Sequence, residues 1–212
     1  MTPMTIIFDL DGTLLNTIDD LGYACNHALA QTGFPTHPIE AYPAMVGNGI
    51  SNLIRRALPE AYRIEDEVLR VRAHFVPFYN EHNTDYTRPY EGIPALLDLL
   101  KTNGHRLAVA SNKYQEATEH IVAQYVPGVF DCVLGEREGV ARKPDPQIVA
   151  DIRAALPGEV RYVGDSLVDM QTAANAQVPF IACSWGFVPR AQLVAAGASR
   201  IADTPAQIAQ LI

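Results

Sequence analysis

The sequence predicts an α/β fold: a parallel sheet covered by helices on both faces, with a helical segment inserted after the first strand. Five short segments, Thr5–Phe8, Arg106–Ala110, Asp131–Leu134, Val160–Val163 and Phe180–Cys183, are largely apolar without the alternation of a half-wet antiparallel strand, as expected of strands buried on both faces. Helical patterns lie between the later ones, and strand alternating with helix implies parallel pairing through right-handed crossovers. One interval breaks the rhythm. Between the first and second strands lie roughly a hundred residues, far more than the ~30 of one βαβ unit.

Taken in order, Met1-Thr2-Pro3-Met4 leads straight into the first strand, without the basic region of a signal peptide. The insertion, from about Asn16 to Asp85, carries no strand of the buried type. It shows helix patterns at Thr17–Ala30, Ile50–Leu58 and Ile64–Tyr79. The periodic stretches Ile93–Thr102, Tyr114–Gln124, Pro146–Ala155 and Asp169–Ala176 then supply the crossover helices. Asp145 as N-cap and Pro146 as first helical residue mark one of these starts.

Composition narrows the function classes. The chain has 212 residues, 48% of them hydrophobic and 19% charged, enough to bury a sizeable core. A formal net charge of −8 opposes general nucleic-acid binding, which needs a basic face. It leaves room for a small anion, because a few local cations and a metal outweigh the global sign. Cys25, Cys132 and Cys183 are scattered and form no C-x-x-C pair, which reads as reduced thiols in a cytoplasm. No apolar run approaches the ~18 residues of a membrane span. The six histidines, at 27, 37, 74, 82, 105 and 120, form no cluster with ligand spacing.

Polar residues collect where ligands bind in open parallel sheets, just past the strand ends. After the first strand comes Asp9-Leu10-Asp11-Gly12-Thr13. Carboxylates at i and i+2 of an extended segment point the same way, with Leu10 turned inward, and Gly12 permits a tight departure. So close a pair repels unless a cation intervenes, which favours a hard metal such as Mg²⁺; a solvated, helix-capping turn is the plain alternative. Ser111-Asn112-Lys113 follows the second strand. Read alone, it fits an N-cap as well as a phosphate cradle. Beyond the third strand, Pro144 restrains Lys143 to an extended conformation, so its ammonium is held to one region. The chain has three lysines, and two of them, Lys113 and Lys143, follow sheet strands. The fourth strand ends in Gly164-Asp165-Ser166, with Asp165 placed to reach a metal. Asp169, one turn on, suits both helix capping and support of the site.

These residues, in this order, resemble the haloacid dehalogenase-like hydrolase superfamily over nearly the whole chain. Phe8-Asp9-Leu10-Asp11-Gly12-Thr13-Leu14 looks like its first motif, Ser111 its second, Lys143 in Lys-Pro-Asp-Pro its third, and Gly164-Asp165-Ser166 with Asp169 its fourth. Val46-Gly47-Asn48-Gly49-Ile50, Arg56-Ala57-Leu58, Ala110-Ser111-Asn112-Lys113 and Trp185-Gly186 resemble the phosphoglycolate phosphatase-like branch.

The resemblance implies a Rossmann-like core from residues 1–15 and 86–212 and a helical cap at 16–85. It implies an Mg²⁺-dependent phosphatase acting on a small phosphorylated metabolite. Asp9 is the expected nucleophile, forming an aspartyl-phosphate, and Asp11 the acid–base. Asp9, Asp11 (through its backbone carbonyl) and Asp165 are the expected metal ligands, Ser111 and Lys143 the phosphoryl ligands, and Asp169 a support. Gly12, Thr13 and Asn112, with Gly47, Asn48 and Arg55 (or Arg56) in the cap, are candidate phosphate or substrate contacts. A β-phosphoglucomutase-like mutase shares this core. A receiver-like signalling domain shares the acids and lysine, but lacks an insertion after the first strand. No nucleic-acid or membrane partner is expected, and nothing in the sequence signals oligomeric state.

Overall fold

The computed structural model describes residues 3–212; Met1 and Thr2, read above as the approach to the first strand, lie outside that range. The strands are β1 (Thr5–Phe8), β2 (Leu15–Asn16), β3 (Arg88–Pro89), β4 (Arg106–Tyr114), β5 (Cys132–Glu136), β6 (Val160–Gly164), β7 (Phe180–Cys183) and β8 (Ile201–Ala202). The helices are α1 (Ile18–Gln31), α2 (Ile50–Ala57), α3 (Glu65–His82), α4 (Ile93–Thr102), α5 (Gln115–Tyr125), α6 (Gln147–Ala155), α7 (Leu167–Asn175), α8 (Arg190–Ala195) and α9 (Pro205–Leu211). The chain divides into two compact units, Met1–Asn16 with Pro89–Ile212, and Thr17–Arg88.

The first unit is built on a six-stranded sheet in the order β5-β4-β1-β6-β7-β8. Every neighbouring pair in it is parallel. The chain starts in the middle, moves outward on one side, then returns past β1 to build the other. That is the doubly wound strand order, whose ligands bind beyond the carboxyl ends at the switch point. β1 shows why its strand is almost wholly apolar. Ile6 and Phe8 face one core with Leu97 of α4, Ile121 of α5 and Ile208 of α9. Ile7 faces the opposite core with Val149 and Ile152 of α6 and Ala173 of α7. Both faces are covered, so both parities of the strand favour apolar side chains, and the one polar residue, Thr5, donates its hydroxyl to the Leu156 carbonyl at 3.4 Å.

Some details differ from the sequence reading, four of them in the sheet and at the helix starts. The sheet gains a sixth strand, β8, whose two residues are too few to stand out as an apolar run. β4 continues to Tyr114 through an irregularity between Ala110 and Tyr114, so Ser111 and Asn112 lie within a strand rather than at the entrance of a helix. α6 begins at Gln147, although Asp145 Oδ1 still accepts the Gln147 N–H at 2.9 Å. α7 begins at Leu167, which makes Asp169 its third residue rather than its start.

The second unit is helical. α1 buries Leu21, Ala24, Cys25, Ala28 and Leu29, an i, i+3, i+4, i+7, i+8 stripe. α3 answers with Val68, Val71, Phe75 and Tyr79, and runs on through Pro77 to His82. Asp20 of α1 accepts the backbone N–H groups of Tyr86 and Thr87 at 3.0 and 2.8 Å, which ties the returning segment to the helix that opened the unit.

Candidate active site

Register decides what meets at the sheet's carboxyl edge. Phe8 lies opposite Val109 on one side and Val163 on the other, so Asp9, Ser111 and Asp165 all fall within two residues of one level. The turn after β1 folds tightly on itself, with the Leu10 carbonyl accepting the N–H groups of Thr13, Leu14 and Leu15. Leu10 is buried in the core, and Asp9 and Asp11 are left at the rim.

Asp9 is buried, and its Oδ1 accepts the Leu10 N–H at 2.7 Å and the Lys143 ammonium at 2.9 Å. Lys143 also donates to Asp169 Oδ1 at 2.8 Å and to the Ala110 carbonyl at 2.9 Å. All three ammonium protons therefore have acceptors, which a buried cation requires. Asp169 is shared between two tasks. Its Oδ2 closes a capping box with Ser166 at the start of α7, while Oδ1 receives Lys143 and the Tyr162 hydroxyl, the latter at 3.2 Å. Asp165 is fixed by the Thr13 hydroxyl at 3.1 Å and the Phe187 N–H at 2.7 Å. A Cβ on Gly12 or Gly186 would overlap its carboxylate, so both positions require glycine for packing. At Gly12 the backbone requires it too, with φ at +87°.

The electrostatics follow from this crowding. One carboxylate oxygen each of Asp9, Asp165 and Asp169 can be chosen so that all lie within 4.8 Å of one another, and all three residues are buried. Burial pushes the Asp9 carboxyl well above its ordinary range, and the Asp169 and Asp165 charges add to this against the pull of Lys143. Burial, then Asp169, carries Asp165 up to about 7 despite its hydrogen bonds from Phe187 and Thr13. Burial alone would lower Lys143, but the Asp169 and Asp9 charges hold it well above the usual lysine range. Asp9, Asp11, Asp165 and Asp169 against Lys113 and Lys143 leave two negative charges when all are ionised. One divalent cation cancels them. Oxygen donors from Asp9, Asp165 and the Asp11 backbone suit a hard ion such as Mg²⁺, whereas both oxygens of Asp169 are already committed.

Several expected contacts sit differently. The Asp11 carboxylate turns to Lys113, 3.2 Å away, and lies outside the three-acid cluster. Thr13 is fully buried, and its hydroxyl donates to Asp165 at 3.1 Å. The Gly12 N–H is spent on the Leu15 carbonyl. Asn112 clasps the Lys143 backbone, donating to its carbonyl at 3.1 Å and accepting its N–H at 2.9 Å. Ser111 is buried and its Oγ accepts the Lys113 N–H at 3.1 Å, which leaves the hydroxyl proton to donate.

In the helical unit, Arg55 pairs with Glu65 and donates to Asn52, neighbours that already satisfy much of its guanidinium. Arg56 holds the carbonyls of Met45, Val46 and Gly47, and Asn52 holds that of Asn48. The Gly47-Asn48 turn is thus braced from α2. Residues that sequence reasoning missed are Tyr162 and Phe187. Tyr162 carried a signal, a hydroxyl inside a strand expected to be buried on both faces. The Phe187 contact uses backbone and left none.

A doubly wound α/β sheet with clustered buried acids and lysines at its carboxyl edge has the make-up of an enzyme's site. A family model described as haloacid dehalogenase-like hydrolase matches residues 6–183, and the chain belongs to that family. Similar proteins include phosphoglycolate phosphatases from Cereibacter sphaeroides (34% identical, covering 86% of this chain and 85% of that one) and Caulobacter vibrioides (35%, covering 86% and 80%). The crystal structure of a candidate phosphoglycolate phosphatase from Lactobacillus delbrueckii subsp. bulgaricus superposes with a TM-score of 0.93 at 35% identity, covering 98% of this chain and 97% of that one. Fold and relatives together make the chain a phosphatase.

Proposed function

We propose that this phosphatase hydrolyses a small phosphate monoester, 2-phosphoglycolate or a close analogue, through an aspartyl-phosphate on Asp9 with Mg²⁺ as cofactor. The observation that carries the chemistry is the meeting of Asp9, Asp165, Asp169 and Lys143 at one sheet edge, with Asp9 held 2.9 Å from the ammonium. The substrate class rests on the relatives, which are named for phosphoglycolate.

Lys143 and Leu10 fix one oxygen of Asp9, and the other attacks phosphorus as the bond to the alkoxide leaving group breaks. Asp11 gives that alkoxide a proton. It then takes one from the water that displaces Asp9 from phosphorus, returning both carboxyl groups to their starting state. Ser111 donates to a phosphoryl oxygen, and Lys143, its three protons held by Asp9, Asp169 and the Ala110 carbonyl, places its positive charge beside the transferring group. Asp9, Asp165 and the Asp11 carbonyl would hold Mg²⁺, which would supply positive charge to the site. General acid–base help contributes roughly 3–5 kcal/mol of a barrier reduction that reaches about 28 kcal/mol for phosphate monoesters. In-line positioning and fixed positive charge must supply most of the rest, which is why the buried Lys143 belongs in this site. Three cysteines without disulfides support a reducing compartment such as the cytoplasm.

The test is a phosphate-release screen with Mg²⁺ over phosphoglycolate, sugar phosphates, nucleotides and pyrophosphate, repeated after EDTA treatment. Phosphoglycolate should give the highest kcat/KM, and EDTA should abolish it until Mg²⁺ is restored. A different preferred substrate overturns the specificity reading; indifference to EDTA overturns the metal reading.

A further inference from the structure

Lys113 is a buried cation that the scheme above does not use. It stands near the end of β4, its backbone N–H on Ser111 Oγ at 3.1 Å and its carbonyl receiving the Thr118 hydroxyl at 3.0 Å. Both sides of its peptide are thereby pinned, and the side chain projects from a fixed base. Nζ lies 3.2 Å from Asp11 Oδ1, with the lysine side chain 3% exposed and that of Asp11 18%. Asp11 Oδ1 is itself buried and takes no hydrogen bond. The ammonium therefore meets it as an ion pair, off the line that a hydrogen bond needs. Because Oδ1 is enclosed, the exposure of Asp11 belongs to the rest of its side chain.

We propose that Lys113 is a positioning residue for the leaving-group step: it anchors Asp11 Oδ1 and so presents the other carboxyl oxygen as the one that gives and takes the proton. This rests on the reading of Asp11 as acid–base. As the bond from phosphorus to the leaving oxygen breaks, the proton on Oδ2 passes to that oxygen, and the charge left on Asp11 lies against the ammonium. In the second half, water's oxygen bonds to phosphorus, the bond from phosphorus to Asp9 breaks, and water's proton returns to Oδ2. Lys113 keeps its protons throughout. Its contribution should therefore scale with how badly the leaving group needs a proton.

The experiment compares Lys113→Met, Lys113→Arg and Asp11→Asn on phosphoglycolate, an alkyl phosphate, and on p-nitrophenyl phosphate, whose leaving group departs without one. Lys113→Met should lower kcat on phosphoglycolate by ~10²-fold, within the range of a lost acid–base group. On p-nitrophenyl phosphate it should lower kcat less than about threefold, and that retained turnover shows the variant is folded. Lys113→Arg should recover most of the phosphoglycolate activity. Equal losses on both substrates, or full activity on phosphoglycolate, overturn the proposal. If Asp11→Asn loses phosphoglycolate turnover selectively and Lys113→Met does not, only the lysine's role falls. If Asp11→Asn itself shows no dependence on the leaving group, the acid–base reading falls first.

Discussion

Replacing Asn112 with alanine removes both hydrogen bonds that hold the Lys143 backbone, at 3.1 and 2.9 Å, and touches none of the acids. Each such bond contributes about 1 kcal/mol net, so the variant should lose about 2 kcal/mol. For a chain of this size that is a fall in Tm of ~4–8 °C. The effect on turnover should be larger than the effect on stability. Lys143 reaches Asp9, Asp169 and the Ala110 carbonyl at once, and a displacement of ~1 Å in such a group costs on the order of 10²-fold. The assay is a double-mutant cycle in kcat with Lys143→Met, with Tm followed in parallel. Asn112→Ala should cost ~10²-fold alone and less than about threefold in the Lys143→Met background, because its effect runs through the lysine. The same cost in both backgrounds would refute the reasoning. So would a lowered Tm with kcat intact.

The other predictions probe the acids. Asp9→Asn should abolish turnover and leave no phosphoryl mass on acid-quenched protein, whereas Asp11→Asn should retain it; multiple turnovers by Asp9→Asn would remove it as nucleophile. In metal-free protein, Asp165 is carried up to about 7 and Asp9 well above the ordinary range. Between their unfolded and folded values the native state holds protons that the unfolded chain has released, so their contribution to stability falls as pH rises through that window. Mg²⁺ competes with those protons, and its effect on Tm should be larger at about pH 8 than at about pH 5; equal shifts would contradict this. Gly186→Ala places a Cβ against Asp165 and the Gly12 carbonyl, and Mg²⁺ titrations should show affinity weakened ~10-fold or more, as for disturbed supporting groups. Unchanged affinity would show that Asp165 is not confined by this contact.

Much of this was legible from the chain alone, because strand ends are marked by where apolar runs stop. Asp9, Ser111, Lys143 and Asp165 each come after such a run, and the acids and the lysine stand out from the apolar residues that make up most of those strands. The insertion was legible for the same reason, as an interval with helical period and no buried strand. Other features left no local trace. β8 has two residues, too short for a period. The contacts of Thr13 with Asp165 and of Asn112 with the Lys143 backbone are long-range and left no sign in the local pattern. Asp11 and Lys113 are 102 residues apart by number, and only the turn after β1 and the irregular end of β4 bring them to 3.2 Å. Sequence determines which groups are available at each strand end, since that depends on local pattern. Only the packed sheet decides which of them is satisfied by a neighbour and which is left to act, because a hydrogen bond or ion pair is settled by distance in space.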